Sequence, residues 1–247
     1  MSVNSGVDLG NRLRVFRGEL YNHDYLWFSS TEISTVSTTL PYLHNYALCY
    51  ALSQYERGIA FGSTPTYDAD LEKMALYTTP AVSEAFVETT KIRFNAVDAK
   101  TLKTDHRLNV NAPKLGQRTY LNPVFAAKSS ARPTVAYLFY LFSYNGDRPR
   151  SVMRLGKKGC PVRIEWEEMR RPFAVWSQTP VRPSHPVNPL DVTGTITRFD
   201  PVMLPPHLLL RVADIQHDWF IRQGRHNVHV PKRVAARVGL AEAGGSK

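Results

Sequence analysis

Cysteine is scarce in this 247-residue sequence, and long hydrophobic runs are missing. Cys49 and Cys160 form no Cys-x-x-Cys pair and are too few for a disulfide framework. The longest apolar run, residues 134–142, is well short of the roughly 20 residues that a membrane helix needs. The first eleven residues lack the basic and apolar regions of a secretory signal peptide. We therefore expect a soluble, cytoplasmic protein that does not bind membranes.

Short motifs that mark common enzyme sites are also missing. The sequence has no G-x-G-x-x-G, G-x-x-x-x-G-K-[ST], H-E-x-x-H or G-x-S-x-G. His226 and His229 lie three residues apart without a nearby third ligand, which favours exposed histidines over a metal site. His217 and Asp218 are interpreted as a surface pair. We therefore expect no metal and no cofactor, and we predict that the protein is not an enzyme.

The composition indicates a folded protein, and the order of its predicted elements, a strand, then a helix, then mostly strands, indicates the α+β class with an antiparallel sheet. Apolar residues make up 43% of the chain and aromatic residues 11%, which excludes general disorder. One helix is predicted at residues 41–57, with Pro41 in its first turn, and a short basic helix is predicted from residue 231. Strands are predicted at residues 12–20, 24–28, 91–96, 134–143, 151–155, 161–166, 194–199, 208–212 and 219–222.

The remaining segments are predicted to be loops on a single domain that covers residues 1–247. The Ser/Thr-rich stretch 29–39 is interpreted as a surface loop. Residues 100–123 are expected to be irregular. Long excursions are predicted near residues 58–80, 97–133 and 172–207.

Charge is distributed unevenly along the chain. The net charge is +10, but residues 1–99 hold seven basic and eleven acidic residues, whereas residues 100–247 hold 24 basic and ten acidic residues. Such asymmetry indicates a polyanionic partner on one side and a protein neighbour on the other. A basic protein with solvated lysines remains the alternative.

A basic run between residues 148 and 163 is the strongest candidate for nucleic-acid binding. It contains no acidic residue, and its basic residues are Arg148, Arg150, Arg154, Lys157, Lys158 and Arg163. Gly156 and Gly159 flank the two lysines, and glycine permits a tight turn that projects them. Lysines at a hairpin tip can bind phosphates together with backbone N–H groups. An ordinary solvated turn is the alternative.

A second candidate is the segment 100–118, which mixes amides with cations. Lys114, Gln117 and Arg118 lie close to Asn109 and Asn111, and Tyr120 follows. This mixture is typical of surfaces that bind single-stranded RNA through phosphates, base edges and stacking. A flexible basic loop is the alternative. Residues that could extend the same surface are Arg170, Arg171, Arg222, Arg225, Lys232, Arg233 and Arg237.

Five segments resemble a known family. They are PYLHNYALCYAL (41–52), NAPKLG (111–116), RLGKKGCPV (154–162), HPVNPLD (185–191) and VPKR (230–233). The chain resembles the Cas-five-like, smaller Csc subunit of the type I-D CRISPR surveillance complex, Cascade, in the RAMP superfamily. The LHNYAL and RLGKK segments are its most specific parts.

The resemblance implies a ferredoxin-like, RRM-type (RAMP) core and a role in antiviral defence. It implies a ribonucleoprotein subunit that binds the 5′ handle of the CRISPR RNA and caps the backbone filament. It also implies contacts with the Cas-seven-like backbone subunit, the Cas-ten-like large subunit, and target DNA near the flanking motif. The predicted RNA contacts are Tyr42, His44, Asn45, Asn109, Asn111, Lys114, Gln117, Arg118, Arg148, Arg150, Arg154, Lys157, Lys158 and Arg163.

Two other functions stay open from the sequence. The first is a metal-independent endoribonuclease that processes CRISPR repeat RNA, with His44 or a Tyr/Lys pair as the catalytic groups. The second is a generic basic scaffold protein with no preference for any RNA end or sequence.

Overall fold

The computed structural model describes residues 6–33, 36–53, 62, 64–83, 85–95, 115–123 and 136–240. Within those ranges nearly all strand pairs are antiparallel, and the helices are short, which confirms the predicted α+β class. The helices are α1 (Asn45–Ser53), α2 (Tyr67–Lys73), a 3-10 turn (Pro189–Asp191) and α3 (Lys232–Arg237). None of these helices is long and apolar enough to cross a membrane.

Within the described ranges the strands form four sheets. In chain order they are β1 (Gly6–Asp8), β2 (Arg14–Asn22), β3 (Thr31–Ile33), β4 (Val36–Thr38), β5 (Tyr42–Leu43), β6 (Leu76–Thr78), β7 (Ala81–Ser83), β8 (Thr89–Asn95), β9 (Leu115–Leu121), β10 (Tyr137–Ser143), β11 (Val152–Leu155), β12 (Cys160–Glu168), β13 (Phe173–Ser177), β14 (Thr195–Val202), β15 (Leu209–Gln216), β16 (Asp218–Gln223) and β17 (His226–His229).

The largest sheet has a ferredoxin-like strand order. Its strands lie in the order β11–β12–β2–β10–β7–β5, and β6 pairs with β10 beside β7. Because β10 is antiparallel to both β2 and β6, those two strands are parallel, and α1 lies between them in the chain. This is the split βαβ arrangement of ferredoxin-like folds. Where that fold has a second helix, residues 144–151 and β11 connect β10 to β12. The strand order confirms the expected core.

The centre of this sheet depends on close ring packing over Gly18 of β2. A Cβ atom at Gly18 would come within 2.6 Å of the Trp166 ring and 2.8 Å of the Phe139 ring. Those two rings meet edge to face with their centroids 5.4 Å apart. Glycine at this position therefore lets the aromatic side chains of β10 and β12 meet across β2.

A second sheet, β1–β13–β16–β17, shares the core of the first. Its Trp176 and Trp219 belong to the same buried cluster as Phe16 and Phe139. The two-stranded sheet β14–β15 packs on a smaller cluster, in which Ile215 of β15 lies with Phe220 of β16. The prediction of a single domain stays a prediction.

The fourth sheet, β3–β4–β9–β8, lies beside the segment that follows β2. Leu26 joins this segment to β9, because Leu26 and Leu121 exchange two backbone hydrogen bonds of 3.0 and 2.9 Å. The pairing of β4 with β9 is parallel, and that of β8 with β9 is antiparallel. The sheet thus carries Arg118 and Tyr120 next to residues 24–28.

The helix predicted at residues 41–57 is shorter than expected. Tyr42 and Leu43 form β5, which pairs with β7, so Pro41 is not in a helix. The helix begins at Asn45, and Nδ1 of His44 accepts the Tyr46 N–H at 3.2 Å, as a capping side chain does. Residues 54–57 lie outside the described residues.

The Ser/Thr-rich stretch 29–39 is not a simple surface loop. It contains β3 and β4, and Ser37 and Thr39 are buried. Thr39 donates its hydroxyl to the Phe28 carbonyl at 2.6 Å and accepts the Phe28 N–H at 3.1 Å. The Ser37 hydroxyl instead accepts the Trp27 indole N–H at 3.2 Å. Both buried hydroxyl groups therefore have hydrogen-bond partners, and their burial corrects the sequence interpretation.

Among the other predicted elements, the strands of residues 91–96 and 134–143, the hairpin around residues 156–159 and the C-terminal helix are confirmed. Residues 24–28 form only a bridge at Leu26 rather than a strand. The predicted loops 58–80 and 172–207 contain α2, β6 and β13, and the segment 100–123 ends in β9. In these segments, contacts with residues distant in the chain stabilise elements that the local sequence favours only weakly.

Candidate nucleic-acid interface

The turn between β11 and β12 projects two lysines, Lys157 and Lys158, into solvent. Gly156 and Gly159 have φ of +79° and +63°, in the left-handed region that favours glycine. A Cβ atom at Gly156 would lie 2.8 Å from the Trp27 carbonyl oxygen. The Lys157 N–H donates to that same oxygen at 3.0 Å. The glycine pair therefore shapes the turn and allows it to dock on Trp27.

Cations and aromatic rings alternate where this turn meets the fourth sheet. The Arg118 guanidinium carbon lies 4.3 Å from the centroid of the Trp27 ring. The Lys157 Nζ lies 5.3 Å from the same ring, and the Lys158 Nζ lies 5.6 Å from the Tyr120 ring. We call this group the tip cluster, and it consists of Tyr25, Trp27, Arg118, Tyr120, Lys157 and Lys158.

The rings of the tip cluster differ in exposure. Tyr120 is 5% exposed and forms the base, whereas Tyr25 is 41% exposed and Trp27 is half-buried. Tyr120 lies 6.1 Å from Tyr25 and 6.2 Å from Trp27 between ring centroids. Trp27 Nε1 donates to Ser37 Oγ at 3.2 Å, which fixes the indole on the sheet. The fold thus presents two accessible rings, those of Tyr25 and Trp27, beside two exposed lysines.

This arrangement suits a single nucleic-acid strand. Among the described residues, no carboxylate lies within ion-pair distance of Lys157 or Lys158. Their ammonium groups are therefore available for phosphate oxygens, and exposed rings offer stacking surfaces for bases. Arg154 supports the turn from below by donating from Nη1 to the Gly159 carbonyl at 2.9 Å.

The structure separates Gln117 from Arg118. They are neighbours on β9, so they point to opposite faces of the sheet. Arg118 lies in the tip cluster, whereas Gln117 lies opposite Arg93 of β8. The predicted contacts Asn109, Asn111 and Lys114 lie outside the described residues.

The basic run 148–163 does not form one continuous surface. Arg148 and Arg150 line a cavity of about 440 Å³ beside the end of β10, at the opposite end of β11 from the turn. Arg163 points outward from β12 and lies 3.4 Å from the Glu165 carboxylate. Of this run, Lys157 and Lys158 therefore contact the aromatic rings of the tip cluster, and Arg154 supports their turn.

The three predicted contacts near α1 do not belong to this surface. Tyr42 is on β5, at the opposite edge of the largest sheet from the β11–β12 hairpin. His44 is 4% exposed and Asn45 is fully buried. Burial corrects the prediction that His44 and Asn45 face RNA.

Asn45 instead holds a buried polar network together. Its Nδ2 donates to Asp191 Oδ2 at 3.0 Å and to Tyr77 Oη at 3.2 Å. The Tyr77 hydroxyl donates to Asp191 Oδ1 at 2.7 Å. Burial raises the pKa of Asp191 to about 6, despite the opposing hydrogen bond from Tyr77. We call Asn45, Tyr77 and Asp191 the core network.

His44 lies beside this network as a neutral imidazole. Burial, and then the neighbouring His207, lower the pKa of His44 to about 3. Its ring centroid is 4.6 Å from that of His207. A base with so low a pKa is almost fully deprotonated at neutral pH and binds a proton weakly, so the residue is poorly suited to general acid–base chemistry.

His229, which the sequence predicts to be exposed, is instead a buried structural residue. Its Nε2 lies 3.1 Å from the fully buried Asp218 carboxylate. Asp218 Oδ2 also accepts the backbone N–H groups of Thr193 and Gly194, so the interpretation of Asp218 as a surface residue is wrong. No group of three or more metal-ligating side chains lies together within the described part of the chain.

Sequence reasoning missed Tyr25 and Trp27 as members of the site. Their segment, residues 24–28, is rich in aromatic residues and was interpreted only as a strand. A half-buried strand alternates apolar and polar side chains, and this stretch of rings does not. The missing alternation is the signal that indicates a surface of aromatic side chains.

Comparisons with known proteins identify a family that the chain matches. The family model described as "Type I-D CRISPR-associated protein Cas5/Csc1" matches residues 13–239. No curated protein sequence matches the chain. Among solved structures, the chain is similar to one in "Cryo-EM structure of the Type III-B Cmr-beta bound to cognate target RNA and AMPPnP, state 1". The two are 10% identical with a TM-score of 0.39, and the match covers 80% of this chain and 86% of that one.

Proposed function

Because the chain belongs to the family of type I-D CRISPR-associated Cas5/Csc1 proteins, we propose that its tip cluster binds the 5′ handle of the CRISPR RNA. A protein of this family is a Cas5-like subunit of a CRISPR effector complex. Handle binding would place this subunit at one end of the complex, where it caps the backbone filament and helps to dock the large subunit near the flanking motif of target DNA.

The observation that carries the proposal is the docking of the Lys157–Lys158 turn on Trp27. It combines two phosphate-binding ammonium groups with an exposed ring, Tyr25, and a half-buried one. A repeat-derived handle is a single strand with unpaired bases, and such strands are bound through stacking and phosphate contacts together.

Subunit contacts are proposed for the less basic part of the chain. Apart from Tyr25 and Trp27 of the tip cluster, residues 1–99 hold an excess of acidic residues, which favours a protein neighbour over RNA. The Cas-seven-like and Cas-ten-like subunits are the proposed neighbours.

We also propose that the subunit does not cut RNA. The candidate base His44 is 4% exposed and has a lowered pKa, so it is poorly placed to take a proton from a ribose hydroxyl. Repeat RNA that is incubated with the protein in EDTA should stay intact. Cleavage that disappears in His44→Ala would support the endoribonuclease alternative instead.

The RNA that copurifies with the tagged protein from its native host tests handle binding directly. Sequencing should give short RNAs that share one repeat-derived 5′ end. A mixture of ribosomal and random fragments would contradict the proposal and leave a generic basic scaffold protein.

The double variant Lys157→Ala, Lys158→Ala should weaken binding of a single-stranded handle RNA by about tenfold at physiological salt. Each lost phosphate contact makes the negative slope of log K against log salt shallower by about 0.7. The magnitude of the slope should therefore decrease by about 1.4. Fluorescence anisotropy across a salt series measures both the RNA affinity and its salt dependence. Stability should change by less than about 0.5 kcal/mol, because both side chains are exposed.

A matched control is Lys73→Ala, Lys232→Ala. These lysines are also exposed and lie on α2 and α3, away from the turn. The control removes the same charge and should leave RNA affinity within about twofold. Equal losses in both double variants would show that net charge, rather than the tip cluster, binds the RNA.

A further inference from the structure

The Trp27 indole is held at its N–H end as well as over its ring. Its Nε1 donates to Ser37 Oγ at 3.2 Å, and the Arg118 guanidinium carbon lies 4.3 Å from the ring centroid. Ser37 lies opposite Arg118 in the pairing of β4 with β9, so their side chains are neighbours on one face of the fourth sheet. Two adjacent positions of the sheet therefore contact the same indole.

A chain of hydrogen bonds continues from Ser37 to a carboxylate. Ser29 Oγ donates to Glu32 Oε2 at 2.7 Å, and the hydroxyl oxygens of Ser29 and Ser37 are 3.1 Å apart. A serine hydroxyl has one hydrogen and an ionised carboxylate only accepts, so the hydrogen of Ser29 goes to Glu32. Ser37 must then donate to Ser29, and a lone pair of Ser37 accepts the indole N–H. We call this one-directional series, from the Trp27 indole through the two serines to Glu32, the indole chain.

The carboxylate strengthens the indole chain from its far end. Hydrogen bonds to an ionised acceptor are roughly twice as strong as those between neutral groups, and successive bonds polarise one another. Glu32 lies opposite Ser37 in the pairing of β3 with β4, which places the carboxylate within reach of the serines. Within the described part of the chain, Glu32 forms no ion pair. Its charge therefore acts on the indole chain rather than on a neighbouring cation.

The backbone beside Trp27 is held independently of the indole chain. Thr39 donates its hydroxyl to the Phe28 carbonyl and accepts the Phe28 N–H, and the Trp27 carbonyl accepts the Lys157 N–H. None of these bonds involves the Ser37 hydroxyl. Loss of that hydroxyl should therefore release the indole and leave the segment in place.

We propose that Ser37 is a positioning residue of the tip cluster, which orders the Trp27 indole before RNA binds. This role rests on the proposed function, because the ligand is the same single-stranded RNA. Ser37 acts through Trp27 and does not need to touch the RNA. A ring that is already ordered loses less conformational entropy on binding, so the bound strand is held more tightly.

Ser37→Ala should weaken binding of the single-stranded handle RNA by about three- to tenfold, because the RNA must then order the indole itself. The slope of log K against log salt should stay unchanged, since no phosphate contact is removed. Fluorescence anisotropy of the full chain across a salt series gives the affinity and the slope. A slope that becomes shallower by about 0.7 would reveal a lost phosphate contact and overturn the positioning role.

A double-mutant cycle with Trp27→Phe tests whether Ser37 acts through the indole. Phenylalanine keeps a ring but has no N–H to donate. In that background Ser37→Ala should change RNA affinity by less than about twofold. An effect as large as in the wild-type background would overturn the proposal.

NMR of the indole N–H groups gives a readout that does not depend on RNA. The indole resonance that is missing in Trp27→Phe belongs to Trp27. In Ser37→Ala this resonance should shift and exchange faster with water, because its acceptor is lost. An unchanged resonance would show that Ser37 does not hold the indole.

Ser177→Ala is the matched control. Ser177 is 5% exposed, as Ser37 is, and its hydroxyl donates to the Thr179 carbonyl at 2.9 Å at the end of β13. The control also loses a buried hydroxyl, but it should leave RNA affinity within about twofold. Equal losses of affinity in the two variants would indicate general destabilisation and overturn the proposal.

The lysine variant separates failure of this proposal from failure of handle binding. If Lys157→Ala, Lys158→Ala weakens RNA binding and Ser37→Ala does not, the positioning role is wrong and the tip cluster still binds RNA. If the lysine variant binds RNA as the wild type does, the proposed function itself is contradicted.

Discussion

Gly156→Ala is expected to lower the free energy of unfolding by about 2–4 kcal/mol. The backbone of Gly156 has φ of +79°, which costs an L-residue about 1–2 kcal/mol. In addition, the new Cβ would lie 2.8 Å from the Trp27 carbonyl oxygen and 2.9 Å from Leu26 Cδ1. The oxygen belongs to the backbone and cannot move aside, so the turn must lift away from Trp27. Urea denaturation measures the change in stability.

The same substitution should weaken RNA binding, because it separates Lys157 and Lys158 from the aromatic rings. Gly159→Ala is the matched control, since Gly159 has φ of +63° but its nearest contact would be at 3.7 Å, to Arg154 Cδ. It should cost about 1–2 kcal/mol and leave RNA affinity nearly unchanged. Equal effects of the two substitutions would mean that contact with Trp27 does not position the turn.

Asp191 is expected to make the protein less stable as the pH rises from about 4 to about 6. The pKa of this carboxyl is about 6 in the folded state, against 3.8 for an unperturbed group, because it is buried. Between these values the folded state holds a proton that the unfolded state has released, so raising the pH favours unfolding. Two pH units of displacement correspond to about 3 kcal/mol.

Comparison with Asp191→Asn isolates this effect. The variant cannot titrate at position 191, and the other groups, including His44 and His185, are common to both proteins. The difference in unfolding free energy, wild type minus variant, should therefore fall by about 2 kcal/mol between pH 4 and pH 7, because the unfolded carboxyl is already partly ionised at pH 4. Urea denaturation at several pH values measures this difference. Parallel stability curves would show that Asp191 does not keep its proton in the core.

Features that depend on local sequence were predictable. The Gly-Lys-Lys-Gly turn and the nearly continuous apolar strand β10 follow from the conformational freedom of glycine and from hydrophobic pattern. The ferredoxin-like strand order was expected only from the resemblance to a family, because local pattern does not specify which strands pair.

Features that depend on distant residues were not predictable in this way. Trp27 joins the tip cluster because the turn 130 residues later docks on its carbonyl. Asn45 is buried because Asp191, 146 residues away in the chain, accepts its hydrogen bond. A polar side chain in a helix is usually exposed, so its burial becomes evident only when its distant partner is known.

The hydrogen bond of 2.6 Å from Arg12 to the Val238 carbonyl joins regions near the two ends of the chain. The pairing of β1 with β13 joins the N-terminal region to residues 173–177. Sheets built from such distant segments form slowly, because long loops must close before their contacts contribute. During synthesis, β2 emerges long before its neighbours β10 and β12, so its apolar face stays uncovered until most of the chain has left the ribosome. The core around β2 therefore closes only after β12, which ends at Glu168, has been synthesised.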